Sequence, residues 1–303
     1  MVWSCLVSIL PGMAQTEKLT DYVNPFVGTD GYGNVYPGAQ IPFGGIQISP
    51  DTDSRFYDAA SGYKYNHLTL MGFSLTHLSG TGIPDLGDFL FIPGTGEMKL
   101  EPGTHEDPDQ GYRSRYSHDK EWASPNYYAV ELADYGVKAE MTSGVRSGMF
   151  RFTYPESDNA FIMIDMNHTL WQSCEWSNLR MINDSTITGY KLVKGWGPER
   201  HVYFTATFSK KLTGLRFVQD KKPVIYNTSR FRSSYEAWGK NLMACISFDT
   251  KAGEEVTVKT AISAVSTDGA RNNMKELDGL TFNELRAKGE ALWEKELGKY
   301  TLT

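Results

Sequence analysis

The segment His77-Leu78-Ser79-Gly80-Thr81-Gly82-Ile83-Pro84-Asp85-Leu86-Gly87-Asp88 gathers an imidazole, two hydroxyls and two carboxylates within twelve positions. A nucleophilic serine needs a strained elbow and a base oriented by a third group, and Ser79 shows neither in sequence. A metal site needs a second ligand at helical spacing, and His77 has none. Two readings stay open: a loop that touches a ligand, or a polar loop satisfied by its own hydrogen bonds. A second glycine-dense stretch runs from Asn24 to Ala39 and includes Gly28, Gly31, Tyr32, Gly33 and Gly38, with Pro42-Phe43-Gly44-Gly45 beyond it. Repeated glycine lets the backbone approach a ligand or another chain closely. The stretch does not fit the dinucleotide fingerprint and lacks the phosphate-loop lysine, so phosphate cradling is disfavoured.

The elements that must hold these loops read as β-structure. Short runs of β-branched and aromatic residues, separated by Gly, Pro, Asn or Asp, predict strands at 43–49, 68–75, 88–92, 127–133, 137–142, 145–154 and 160–165, and then at 186–193, 202–208, 215–219, 242–248 and 256–264. Within 145–152 the alternation changes face at Met149, as in a strand that crosses a bulge. So many strands without helices between them predict an all-β fold, a large antiparallel sandwich. The pattern changes at Ser266. Residues 268–277 and 281–300 read as helices, the second opened by the capping box Thr281-Phe282-Asn283-Glu284, with Phe282, Leu285, Leu292 and Trp293 on one stripe. The expected organisation is 1–14 a signal-peptide remnant cleaved after Ala14, 15–265 a β-sandwich, and 266–303 a helical linker.

Composition narrows the partners. The 303 residues carry 30 Lys plus Arg against 36 Asp plus Glu, a formal charge of -6 with no basic block, which argues against nucleic acid. No run reaches membrane-spanning length. Cys5, Cys174 and Cys245 lie far apart, so spacing indicates neither a zinc site nor a disulfide framework. Aromatic residues make up 13% of the chain, and such rings fill a β core or offer faces to amphipathic ligands such as sugars. Trp171, Trp176 and Trp196 are expected on loops between residues 165 and 198, either as sugar platforms or packed between sheets.

In order along the chain, Val23-Asn24-Pro25-Phe26-Val27-Gly28-Thr29, Tyr36-Pro37-Gly38-Ala39, Pro42-Phe43-Gly44, Ser49-Pro50-Asp51-Thr52, Ser61-Gly62-Tyr63, Gly72-Phe73-Ser74 and His77-Leu78-Ser79-Gly80-Thr81-Gly82 with Asp85 and Gly87-Asp88 resemble the N-terminal domain of glycoside hydrolase family 92. That family comprises calcium-dependent α-mannosidases of secreted bacterial systems that degrade mannose-containing glycans, N-glycans among them. The resemblance implies a galactose-mutarotase-like sandwich that precedes a larger (α/α)₆ barrel absent from this chain, with the sugar held between the two. It further implies an exo-acting, inverting reaction. The catalytic carboxylates and the calcium ligands would belong to the barrel, so no catalytic or metal-binding residue is expected here. Sugar-binding residues are expected at Gly31, Tyr32, Tyr57, Asp58, His77, Ser79, Gly80, Thr81, Gly82, Asp85 and Asp88. Tyr57 stands where the family commonly has Trp, Tyr32 where His is frequent, and Ile83 where Cys is usual. The location implied is secreted or periplasmic, and the chain alone would be inactive. A stand-alone carbohydrate-binding module is the alternative. An unmatched apolar stripe on the last helix and an open face beside His77 would favour the two-part enzyme, and a well-docked helix with a polar face would favour the module.

Overall fold

The computed structural model describes residues 17–54, 59–225 and 236–300. The expected signal segment 1–14, and Tyr57 and Asp58, lie outside the described residues. Within them the strands are β1 (Ser49–Asp51), β2 (Thr69–Leu70), β3 (Gly72–Ser74), β4 (Leu90–Thr95), β5 (Ser114–Arg115), β6 (Glu121–Ser124), β7 (Tyr127–Leu132), β8 (Val137–Ser143) and β9 (Ser147–Tyr154). They continue as β10 (Ser157–Asp165), β11 (Ser173–Asn183), β12 (Thr186–Lys194), β13 (Arg200–Phe208), β14 (Gly214–Gln219), β15 (Lys222–Pro223), β16 (Glu236–Gly239), β17 (Leu242–Thr250) and β18 (Glu254–Ser263). Helices α1 (Thr267–Met274) and α2 (Phe282–Leu297) close the chain.

One sheet of seven strands runs β1-β3-β4-β10-β17-β14-β15, another of nine runs β16-β11-β12-β13-β18-β9-β8-β7-β6, and β2 pairs with β5 apart from both. The all-β sandwich is therefore observed, and the two large sheets are antiparallel throughout. Alternate residues of each strand turn inward to form the main core. Phe91 meets Phe150 at 4.9 Å between ring centroids, and Phe89 meets Phe204 at 4.5 Å. Removing such rings from water is the main favourable term for joining two sheets.

The structure corrects several boundaries. The strand expected at 43–49 does not form: Phe43 is 91% exposed at φ +59°, and pairing begins only with the Ala39–Ile48 bridge and β1. The run 68–75 divides between two sheets, at Gly72. Asp88 lies before β4 rather than in it. The register of β9 with β8 and β18 is unbroken, so there is no bulge at Met149. Both faces of β9 are buried at that point because helix α2 covers the outer one, placing Phe282 and Leu285 against Tyr127, Ala129 and Met149. The eleven-residue β11 escaped the sequence reading, and it carries Trp176, which is on a strand and not a loop.

The capping box forms: Thr281 Oγ1 accepts from the amide of Glu284, and the Glu284 carboxylate accepts from the amide of Thr281 at 2.8 Å. Helix α2 is also tied at its far end, where Trp293 Nε1 donates to the carbonyl of Gln40 at 2.7 Å and Glu294 accepts from both the amide and the hydroxyl of Thr20. The terminal helix thus lies back on the sandwich. Leu292, on the expected stripe, is left 43% exposed.

Candidate functional site: a polar rim over a buried charge network

The two glycine-rich segments meet at one end of the sandwich. The amide of Gly80 donates to the carbonyl of Asn34 at 2.7 Å, the Ser61 hydroxyl donates to the same carbonyl, and the Tyr36 ring lies 5.2 Å from that of His77. Lys64, itself buried, donates to the carbonyl of Gly31 at 2.6 Å and sits over the Tyr32 ring. What these contacts leave facing outward is Gly31, Tyr32, Ser79, Gly80 and Gly82, with Thr81 half-buried among them. Tyr32 is 87% exposed. The Oδ1 of Asn34, where the two segments join, is buried and has no partner among the described residues.

The charged residues of the segment are placed differently. His77 is buried, its Nδ1 donating to the carbonyl of Gln47 at 2.8 Å and its Nε2 lying 2.7 Å from Asp51 Oδ1. His168 Nε2 lies 2.8 Å from the other oxygen of Asp51. The carbonyl of His168 accepts from Lys191 Nζ at 2.6 Å, and Lys191 pairs with Asp88 Oδ1 at 3.1 Å. Asp88 also receives Arg200 at 2.6 Å and the Thr76 hydroxyl at 2.7 Å. Asp85 accepts from the amides of Leu86 and Trp196 and lies 3.8 Å from Arg200. A continuous chain of ion pairs and hydrogen bonds therefore runs beneath the rim, from His77 through Asp51, His168, Lys191 and Asp88 to Arg200 and Asp85.

Of the expected contact residues, His77, Asp85 and Asp88 are bonded internally, whereas Gly31, Tyr32, Ser79, Gly80, Thr81 and Gly82 form the open surface. His168, Lys191 and Arg200 were not anticipated. Lys191 had a readable signal, since it falls at an inward position of β12 in register with Ile187 and Val193, where a cation needs a buried partner. His168 has none. Trp171 is 64% exposed and Trp196 68% exposed, and Trp176 is also well exposed, so none of them packs between the sheets.

Burial pushes the carboxyls of Asp51 and Asp88 up, but their hydrogen-bonding and ion-pair partners outweigh it. His77 and His168 hold Asp51, and Lys191 and Arg200 hold Asp88, well below the usual carboxylate range. A folded-state pKa below the unfolded one contributes stability above the unfolded value, near 4, that is lost as pH falls toward the folded value. The urea midpoint is therefore expected to fall steadily as pH is lowered from about 5 to about 3. A midpoint that stays level over that window would show that the two carboxylates are not held in this way.

The arrangement defines a class: an all-β sandwich domain whose loops are clamped at one end to display a polar rim. Residues 22–263 match the model of the glycosyl hydrolase family 92 N-terminal domain, and the chain belongs to that family. It is 26% identical to an uncharacterized secreted glycosidase of Arthroderma benhamiae, over 93% of this chain and 38% of that protein. Among solved structures, the family 92 glycosyl hydrolase CcMan5 superposes with a TM-score of 0.79 at 26% identity, over 94% of this chain and 38% of the other. The family 92 inverting mannosidase BT2199 from Bacteroides thetaiotaomicron has the same fold, with a TM-score of 0.78 at 24% identity over 94% and 37%. The chain thus spans somewhat over a third of the length of these relatives.

Proposed function

We propose that this chain is the sandwich portion of a secreted, exo-acting α-mannosidase that hydrolyses α-mannosidic bonds of glycans with inversion and with calcium. The observation that carries this reading is the family match across residues 22–263. The names of its relatives, a secreted glycosidase and an inverting mannosidase, support secretion and the substrate class. For export, no helix among the described residues is long and apolar enough to cross a membrane. In this reading the rim of Gly31, Tyr32, Ser79, Gly80, Thr81 and Gly82 meets the sugar, joined by Tyr57 and Asp58. His77, Asp85 and Asp88 act beneath it by holding the loops in place.

Calcium takes six to eight oxygen ligands. The residues here do not fit it, because Asp51 and Asp88 already spend their oxygens on cationic partners, and no group of three or more His, Cys, Asp or Glu among the described residues is arranged to hold a metal. Inversion requires an acid and a base carboxylate roughly 6.5–9.5 Å apart across a water. Both the calcium and that pair are assigned to an (α/α)₆ domain of the kind expected to complete the cleft.

This chain alone is expected to release no nitrophenol from an aryl α-mannoside with calcium present, and turnover by it would refute the assignment of the catalytic pair. In a polypeptide that continues to the length of these relatives, Tyr32→Ala or Ser79→Ala should lower kcat/KM for a mannobioside by about tenfold without moving the melting temperature. Unchanged kinetics would remove the rim from the sugar site. One observation favours the second reading, a carbohydrate-binding module without catalysis: α2 is docked on the sandwich rather than left as a free arm.

A further inference from the structure

A cavity of about 970 Å³ opens beside the rim, walled by the turns between β14 and β15 and between β16 and β17, by the segment leading from β10 to β11, and by residues 100–102. Its volume is that of a site for a small organic ligand. Its lining combines an apolar floor, Met71, Tyr112 and Met243, with the carboxylate of Asp165 and the amides of Asn167, Gln172 and Asn241. The lysines around it are already paired, Lys221 with Glu101 at 2.8 Å and Lys240 with Glu175 at 3.2 Å, and Asp220 accepts from the Asn241 amide at 2.8 Å. An anion gains little from such a wall. A neutral ligand with one apolar face and several hydroxyls gains from both kinds of surface.

One feature of the lining points to a ligand. Trp171 borders the cavity with 64% of its surface exposed and its backbone at φ +72°. A bulky aromatic residue in the left-handed region is strained, and such strain persists only where the surroundings impose it. They do so here: the amide of Leu170 is held by the carbonyl of Leu86 at 3.0 Å, the Gln172 side-chain amide by the carbonyl of Pro84 at 2.6 Å, and the carbonyl of Gln172 by the Thr169 hydroxyl at 2.8 Å. The chain is pinned on both sides of the tryptophan while its indole is left in solvent.

We propose that this cavity is a second sugar subsite, in which a pyranose ring lies on the indole of Trp171 and its hydroxyls reach Asp165 and Asn167. The proposal rests on the glycan reading above, but it uses residues distinct from the rim. A mannose-terminated chain longer than one unit is the ligand it fits, since the cavity exceeds the needs of one ring.

The test is a titration of the chain with α-1,2-mannobiose, read by saturation-transfer NMR and by tryptophan fluorescence. Trp171→Ala, which removes an exposed ring without altering the core, should weaken binding by about tenfold or more, and Asp165→Asn by about threefold. Trp122→Ala, which removes an exposed indole on β6 that lines neither the rim nor the cavity, should leave the affinity within about twofold. Absence of saturable binding up to about 50 mM overturns the subsite. So does a Trp171→Ala variant that binds like the parent. If Tyr32→Ala abolishes binding while Trp171→Ala does not, the rim holds the sugar, so that the proposed function stands and the subsite falls.

Discussion

Asp88→Asn is expected to lower the unfolding free energy by about 3–5 kcal/mol, the cost of leaving a buried charge without its partner. The substitution keeps the shape of the side chain and removes its charge, so packing changes little. Lys191 and Asp88 both have fully buried side chains, and after the change the Lys191 ammonium keeps the carbonyl of His168 and the face of Phe89 but has lost its counter-charge. Arg200, with 26% of its side chain exposed, recovers water and keeps Asp85 nearby, so Arg200→Gln should cost clearly less. Chemical denaturation followed by circular dichroism measures both. Because the loss comes mainly from the orphaned ammonium, Asp88→Asn combined with Lys191→Met should be no less stable than Asp88→Asn alone. A strictly additive further loss would show that the pair is not coupled.

Gly62→Ala is expected to destabilise the chain by about 3 kcal/mol or more, or to prevent folding. Gly62 has φ +83°, and a Cβ built there would stand 2.0 Å from Asp51 Oδ1 and 3.2 Å from the His77 ring. The carboxylate has no room to yield, because His77 and His168 hold its two oxygens. Gly31→Ala is the control: it shares the left-handed backbone, at φ +58°, yet its Cβ would meet nothing within 4 Å. That variant should show only the conformational cost, about 1 kcal/mol. Equal losses in the two variants would mean that the backbone, and not the packing of Gly62 on Asp51, sets the penalty. The run Ser61-Gly62-Tyr63 thereby acquires a physical role, with Gly62 admitting Asp51, the Ser61 hydroxyl fastening Asn34, and the Tyr63 hydroxyl donating to Glu121.

The ends of strands and the missing strand show where local pattern stops being informative. Residues 43–49 look like a strand because Phe43, Ile46 and Ile48 alternate loosely, but the left-handed Phe43 sits inside a turn closed from Gly44 to Ile41, which redirects the chain before pairing begins. β11 was missed because its register shifts between Cys174 and Trp176 and it carries Glu175, Asn178 and Arg180 among its apolar residues. Met149 looked like a bulge because a strand covered by a helix on its outer face is apolar on both sides. Only for Met149 is the deciding contact made by a segment distant along the chain.

The two-sheet class, the helical tail with its capping box and the family were determined by residue order alone, because period, turn chemistry and cap signals are local and survive without coordinates. Only the tertiary structure decided which polar groups face solvent and which are spent inside. Asp51 meets His77 across 26 positions and His168 across 117, and Asp88 meets Arg200 across 112, so neither spacing nor composition could pair them. A buried charge is stable only with its partner in place, and that partner is chosen by the packing of the sheets rather than by the neighbouring sequence.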